Sequence, residues 1–562
     1  MTAKQSGRPQ ACELGDIRPD GDLRRRAELN FRRLHEEPFR ADAVLHAPTF
    51  DEAPGDWVGR DILGLTLLAQ VLGQEPLYLA EIMARLPELY NAEGYIGPIH
   101  PPSEANESQF AAHNGLLRGL SEYVLWRGDQ QVRAAVERIV QNLVVPRGDL
   151  FASYPALALG RQKGGGVIGQ AVTSEGAWRG LNTDIGQVFM ILDGATQAYQ
   201  LAPSPPLAAT ITAIIARFAA IDSRAIGAQT HGMLTGLRGI LRWYEEVDPR
   251  PEYLELVRRS FALFLELATT EHHDYFNWFD RPEWTEACAV VDAFTLCLSL
   301  WRLTGETPYL EEAHRIYYNA LQYAQRPNGG FGCDTCVGGD GSPILSPEAE
   351  GFESLCCCTM RGAEGLARAA QASYFTRNDA VIVPFFGDSV ATLRFADGTV
   401  TVQQRSGYPY EGSVDLEVLE ASAVAPRRLE LFVPGWVPPS SLQVQLNGRP
   451  LPCDVECGFA QLPLPSAPGE RLVVSFELGV RREAAHNADR VPGHVRFYHG
   501  PLLLGCTPEA GRAPTGAADL IPLGGGSYRD SATGALLDPI ANMTYLTEDR
   551  ARASQTQVLF PG

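Results

Sequence analysis

Near Arg377 the hydrophobic periodicity of this 562-residue chain changes, and that change constrains the fold more than any single motif. Upstream, apolar residues recur at i, i+3 and i+4, as on one face of a helix; downstream they alternate, as on half-buried strands. The helical stretches between about residues 57 and 375 come in pairs, with six starts, near Trp57, His113, Asn182, His231, Glu286 and Cys356. Several first helices end in a short turn, such as Arg127-Gly128-Asp129 or Thr304-Gly305-Glu306, which suits an αα-hairpin. The first helix of each pair is rich in Gly, Ala and Leu, as an inner helix packed on both sides should be. Six hairpins closing in a ring make an (α/α)6 toroid. Asp61, His113, Asn114, Asp184, His231, Glu286 and the run Cys356-Cys357-Cys358 all stand where inner helices begin, so they are expected to line one mouth of the ring.

After about Arg377, stretches such as SVDLEVLEA, RRLELFVPGW and RLVVSFELGV alternate, and turn signals such as Ala396-Asp397-Gly398 and Asn447-Gly448 separate some of them. The expected organisation is a multidomain α and β protein. It has an (α/α)6 catalytic domain over residues 1–376 and an antiparallel β-sandwich over 377–483. The segment 484–562 holds one strand pair (HVRFYHGPLLLG) and is expected to pack on the sandwich or the barrel.

A net charge of -20 argues against nucleic acid or an anionic membrane surface as partner. No apolar run approaches the ~20 residues that span a bilayer, and the N-terminal stretch lacks the apolar core of a secretory signal. A cytoplasmic location is the resulting expectation. The eleven cysteines then read as buried thiols, ligands or reactive groups rather than a disulfide framework. A homodimer is one arrangement the sandwich allows; bracing the ring is the other.

Three consecutive cysteines make most sense as soft ligands for a metal. Upstream, Glu286 and Cys288 supply a carboxylate and a third thiolate; with two of the triplet they complete a four-ligand zinc shell. Residues two apart point to nearly opposite sides of a regular helix. Both can face one ion only where an extended strand turns into a helix, and a helix N-terminus also favours thiolate over thiol. Two other readings stand beside this one. Buried cysteines often just fill core space, as Cys297 on an aliphatic face is expected to do. The pair Cys333 and Cys336, a CxxC in a Gly-rich loop, can also join two triplet cysteines in a structural four-cysteine site.

Glu286-x-Cys288 followed by Cys356-Cys357-Cys358 resembles glycoside hydrolase family 127, the bacterial β-L-arabinofuranosidases with a zinc-bound cysteine nucleophile. Fragments in the same order extend the likeness through most of the chain: Gly94-Tyr95-Ile96-Gly97, Thr230-His231-Gly232, Tyr318-Asn319, Gly407-Tyr408-Pro409-Tyr410, Val433-Pro434-Gly435-Trp436 and His499-Gly500-Pro501-Leu502. The resemblance implies an exo-acting, retaining hydrolase of glycosides. It implies Zn2+ on Glu286, Cys288, Cys357 and Cys358, Cys357 as nucleophile, and Glu271 as acid/base. It further implies that His113 and His231 contact sugar hydroxyls, with His272 and Asp184 as additional substrate-binding candidates. The chemistry is coherent, because retention needs a nucleophile and a proton donor flanking the bond, and a metal keeps a thiol ionised. The chain departs from the family pattern at Thr359-Met360-Arg361, where a Pro-Pro-Asn stretch is common, and at His314, where an acidic residue is.

Two other functions fit the same ring. One is a lyase, epimerase or uronyl hydrolase using His113, Tyr275 and His231. The other is a non-catalytic carbohydrate-binding protein whose zinc is structural, in which the four ligands would be closed off from any cavity.

Overall fold

The computed structural model describes residues 7–47, 54–157, 161, 171–348, 352–422, 425, 427–507, 514–543 and 555–562. Its helices are, in order, α1 (Gly21–Arg33), α2 (Ala41–Leu45), α3 (Asp56–Leu72), α4 (Leu79–Arg85), α5 (Glu107–Arg127), α6 (Gln130–Ile139) and α7 (Ile191–Leu201). They continue with α8 (Pro205–Ala219), α9 (Thr230–Glu246), α10 (Pro251–Leu267), α11 (Ala287–Thr304), α12 (Pro308–Arg315), α13 (Gln322–Ala324) and α14 (Cys358–Gln371).

The ring closes. α3 packs on α5, α5 on α7, α7 on α9, α9 on α11, α11 on α14, and α14 back on α3. Four of these six inner helices, α3, α9, α11 and α14, begin within two residues of their sequence starts, whereas α5 begins six residues before His113 and α7 nine residues after Asn182. Their faces are buried nearly all round, α3 from Val58 to Leu72 with few breaks. Local chemistry sets their ends. The Asn106 side chain accepts from the Gln109 amide to cap α5, and Gly128 and Gly305, both at positive φ, end α5 and α11 at the two turns noted above. α6, α8, α10 and α12 lie outside α5, α7, α9 and α11 as hairpin partners. The sixth inner helix is different: α14 runs straight into strands, and its outer partner is α1, from the other end of the chain.

Two sheets form the sandwich. One runs in the order Gln10–Ala11, Phe375–Arg377, Ala380–Val383, Arg428–Phe432, Phe459–Pro463, Asp454–Glu456. The other runs Arg449–Pro450, Gln443–Leu446, Arg471–Ser475, Ser413–Ala421, Gly398–Ser406, Ser389–Phe395, Ile17–Pro19. Asn447 and Gly448, both at positive φ, make the tight hairpin that their dipeptide signals. Pairing is antiparallel except between Ala380–Val383 and Arg428–Phe432, which run parallel. Residues 10–19 thus belong to the sandwich rather than to the helical domain, because each sheet exposes an edge that a short N-terminal strand covers. The third sheet begins at Val480, four residues before the expected boundary, where Val480–Ala484 pairs with His494–His499. This C-terminal unit packs back on the barrel: Ala485, Val491, Tyr498, Leu503 and Leu559 share a core with Tyr323, Val337 and Leu345.

α11 is the one helix among the described residues long and apolar enough to cross a membrane by length and composition, a property the sequence reading assigned to no segment. Here it is an inner wall of the ring, mostly buried.

Candidate metal centre and active site

Two β-hairpins deliver part of the site. The pair Ala171–Glu175 and Trp178–Asn182 leads to Asp184 ahead of α7, and the pair Phe276–Trp278 and Arg281–Thr285 leads to Glu286. Glu286 is the residue before α11, with extended backbone (φ -138, ψ 116), and Cys288 lies in the first helical turn. Cys357 stands in the same position before α14, with φ -144, and Cys358 opens that helix. The strand-to-helix transition required by the two-residue spacing is therefore present at Glu286, whereas the cysteine run enters α14 from a turn, with Cys357 at ψ -67.

The two segments converge. One donor atom from each of Glu286, Cys288, Cys357 and Cys358 lies within 4.8 Å of all the others. Cys357 Sγ is 3.5 Å from Cys358 Sγ, and Cys288 Sγ is 3.9 Å from Cys358 Sγ. Arg60 Nη1 approaches Cys288 Sγ at 3.7 Å, the Ser354 hydroxyl is 3.2 Å from Cys357 Sγ, and Gln229 donates to Glu286 at 3.5 Å. Burial, then the charge of Cys357, pushes the Glu286 carboxyl well up. Burial likewise raises Cys288. Hydrogen bonds from Cys288, Cys356 and Cys358, helped by Arg60, hold Cys357 well below an ordinary thiol. A cluster in which one thiolate makes its neighbours costly to ionise needs either protons or a cation. Three sulfurs and a carboxylate are a donor set that tetrahedral zinc takes.

The cluster is not sealed. Cys356, Cys357, Glu286, Cys333, Asp184, His231, Gln229, Asn182, Asn277, Trp284, Asp56 and Arg60 face one cavity of about 280 Å³. His231 is held by Asp292, whose Oδ2 is 2.7 Å from its Nδ1, and its Nε2 has no hydrogen-bond partner. Burial opposes ionisation of Asp292, but Arg361 and Arg238 outweigh it and keep its carboxyl charged. Asp184 accepts from Trp278 Nε1 at 3.0 Å, and burial, against that bond, moves its pKa up to about 7.

Three expected site residues lie elsewhere. Glu271 is fully buried, and its carboxylate accepts from the amides of His486 and Asn487, both at 2.8 Å, and from Asn487 Nδ2 at 3.1 Å, beside Arg496. The oxygens expected to give a proton to a sugar are thus occupied in fastening the C-terminal unit to the barrel. Its neighbour His273 serves the same joint, bonded to Glu312 and to the Tyr498 hydroxyl. His113 uses both ring nitrogens on backbone, Nδ1–H donating to Gln109 O and Nε2 accepting from the Ile96 amide, so it braces the barrel wall. His272 is buried beside Asp274 and Asp334. The CxxC pair is split as well: Cys333 faces the cavity, whereas Cys336 does not, and neither belongs to the four-donor cluster. Asp61 is buried with both carboxylate oxygens unpartnered, away from the cavity.

Sequence reasoning missed Asp56, Arg60, Asn182, Gln229, Asn277 and Trp284. A signal existed for part of this set. Asp56 and Arg60 are an i, i+4 pair at the start of the first inner helix (Arg60 Nε to Asp56 Oδ1, 2.8 Å), and Gln229 and Trp284 each stand two residues before a residue already singled out.

Comparison with known proteins bears on the fold and on the sandwich sequence. The sequence model of the glycoside hydrolase family 127 β-L-arabinofuranosidase middle domain matches residues 380–478. A non-reducing end β-L-arabinofuranosidase of Bifidobacterium longum subsp. longum is 31% identical over 165 residues, which is 28% of this chain and 24% of that protein. The solved structure of a family 127 β-arabinofuranosidase superposes with a TM-score of 0.70 at 14% identity, over 99% of this chain and 98% of that one. That of a family 127 β-L-arabinofuranosidase from Geobacillus stearothermophilus T6 gives 0.63 at 13% identity, over 95% and 93%. By sequence in its middle domain and by fold along its whole length, the chain is similar to the β-L-arabinofuranosidases of glycoside hydrolase family 127.

Proposed function

We propose that this protein is an exo-acting, retaining glycoside hydrolase that releases a terminal arabinofuranose-type sugar, with Cys357 as nucleophile. The observation that carries this reading is the convergence of Glu286, Cys288, Cys357 and Cys358 at the wall of an open cavity. A purely structural site would be closed off. Zinc on those four residues would keep the thiolates ionised and fix their direction.

The chain's own groups supply the rest. Cys357 Sγ attacks the anomeric carbon; the C–S bond forms as the glycosidic C–O bond breaks, and the leaving oxygen takes a proton from Asp184. Asp184, now a carboxylate, then takes a proton from the water that displaces sulfur with a second inversion. We assign the proton to Asp184 rather than Glu271 because Asp184 faces the cavity and Glu271 does not. His231 Nε2, Gln229 Oε1 and Asn277 Oδ1, which have no hydrogen-bond partner, would bond ring hydroxyls, and Trp284 walls the pocket. A cavity of about 280 Å³ suits one sugar ring rather than a chain, in keeping with exo action.

The test is hydrolysis of a panel of aryl furanosides and pyranosides, with metal content measured on the same batch. Cys357→Ala should stay folded and lose at least ~10³-fold in kcat. Activity that survives in that variant, or in protein stripped of zinc, would end this reading.

A further inference from the structure

We propose that His272, Asp274 and Asp334 form a second cation site, separate from the thiolate cluster, that takes one divalent first-row transition ion through nitrogen and oxygen. All three residues are completely buried, and one donor atom from each lies within 4.8 Å of the other two. His272 Nε2, Asp274 Oδ2 and Asp334 Oδ2 are all without a hydrogen-bond partner. The Nε2–Oδ2 separation between His272 and Asp274 is 3.6 Å. Donors bound at ~2.0–2.2 Å to one ion stand about 3–4 Å apart.

The hydrogen-bond pattern suits one tautomer of His272. The Thr270 hydroxyl donates to the Asp274 carbonyl and lies 3.0 Å from His272 Nδ1. With that proton on the carbonyl, the hydroxyl accepts from Nδ1–H as it does from the Asp274 amide at 3.1 Å, and His272 turns the lone pair of Nε2 inward. That lone pair meets two carboxylate oxygens. The other oxygens of those carboxylates are already engaged: Asp274 Oδ1 accepts from the Tyr275 amide at 2.6 Å, and Asp334 Oδ1 pairs with Arg326 at 2.9 Å. Three lone pairs converging in a dry site are repulsive until a cation enters, and a buried charge without a partner is among the costliest features a fold can carry. Imidazole plus carboxylate is a donor set for zinc, iron, nickel or manganese rather than for a thiophilic ion. Tyr323, whose hydroxyl is also unpartnered, packs edge-on against His272 with ring centroids 6.0 Å apart.

The placement gives the ion a structural task. Asp334 follows Cys333, which faces the cavity, and its main chain bonds to Thr285, whose amide donates to Asp334 O at 2.9 Å and whose hydroxyl accepts from the Asp334 amide at 3.0 Å. Thr285 immediately precedes Glu286. An ion on Asp334 therefore braces the strand that carries one ligand of the thiolate cluster.

The experiment counts metal in the full chain. Protein stripped of metal is titrated with Co2+ alone, while bound cobalt and the thiolate-to-cobalt charge-transfer band are followed. We expect two equivalents, of which only one builds the band. Asp274→Asn, nearly isosteric, should bind one equivalent and keep the band. Cys358→Ala should also bind one, with the band lost or strongly reduced. Should Asp274→Asn fail to fold, His272→Gln is read in the same way. Saturation of the unaltered chain at one equivalent, or two equivalents retained in Asp274→Asn, would overturn the proposal and leave a protonated carboxyl network in its place.

Discussion

What a buried carboxyl group can do depends on what its oxygens already hold. Asp184 and Glu271 show the contrast. Asp184 has one oxygen on Trp278 and faces a cavity, whereas Glu271 has two amides and a side-chain amide on its carboxylate. Around Asp184, burial and Glu107 raise its pKa, while Trp278, Arg161 and Arg281 oppose, and the result is about 7. A general acid works only while protonated, so kcat should fall as pH rises through about 7. Asp184→Asn should cut kcat by ~10²–10⁴-fold and abolish that alkaline limb in a pH–rate profile. Glu271→Gln should leave kcat and the limb in place but lower stability by about 1.5–3 kcal/mol, because it weakens charge-assisted bonds to the C-terminal unit. A Glu271 variant that keeps its Tm and loses turnover would reverse the assignment. The sequence reading takes Glu271 as acid/base and Asp184 as a substrate-binding residue, because neither residue's partners, which come from residues 278 and 486–487, are legible in its own segment.

At the scale of elements, the inner helices were legible because apolar spacing, caps and turn glycines are local. Their closeness was not. α3 crosses α5 at Gly59, where a methyl group would overlap the backbone of Gly115 and Leu116; in return, a methyl on Gly119 would overlap the Gly59 carbonyl. Gly59→Ala should therefore destabilise the ring by about 1–3 kcal/mol, despite Ala being the better helix former. Thermal unfolding measures this, and an unchanged or raised Tm would show that the two helices can separate at no cost. The outer partner of α14 was also beyond reach of local reading: α1 lies more than 300 residues away in sequence, and nothing in either segment names the other.

Across the whole molecule, the barrel and sandwich meet at His314 on α12. Its Nδ1 accepts from the Tyr408 hydroxyl at 2.8 Å and its Nε2–H donates to Pro384 O at 2.9 Å, inside a cage that includes Phe385 and Trp436. Burial holds its pKa down at about 4, and His113 in the barrel wall is lowered to about 4 in the same way. Between about pH 6.5 and 4 the unfolded chain binds a proton at each of these positions and the folded chain does not. Stability is therefore fully present above about 6.5 and falls as pH drops through that window, by up to ~1.4 kcal/mol per pH unit for each histidine. Melting temperatures between pH 7.5 and 4.5 should show the decline, and His314→Gln should make it shallower. An identical slope in that variant would exclude the joint as its source.

Sequence alone determined the class of architecture, because periodicity is a property of neighbouring residues, and it supplied candidate donors in Glu286, Cys288 and the cysteine run without choosing among the thiols. Tertiary structure decided which polar residues share a space. It turned Asp184 and His231 toward the cavity, gave Glu271 to a domain joint and His113 to the barrel wall, and collected His272, Asp274 and Asp334 into a buried cluster. The reason is that a side chain's partners arrive from segments tens to hundreds of residues away, and the direction it faces is settled only when those segments pack.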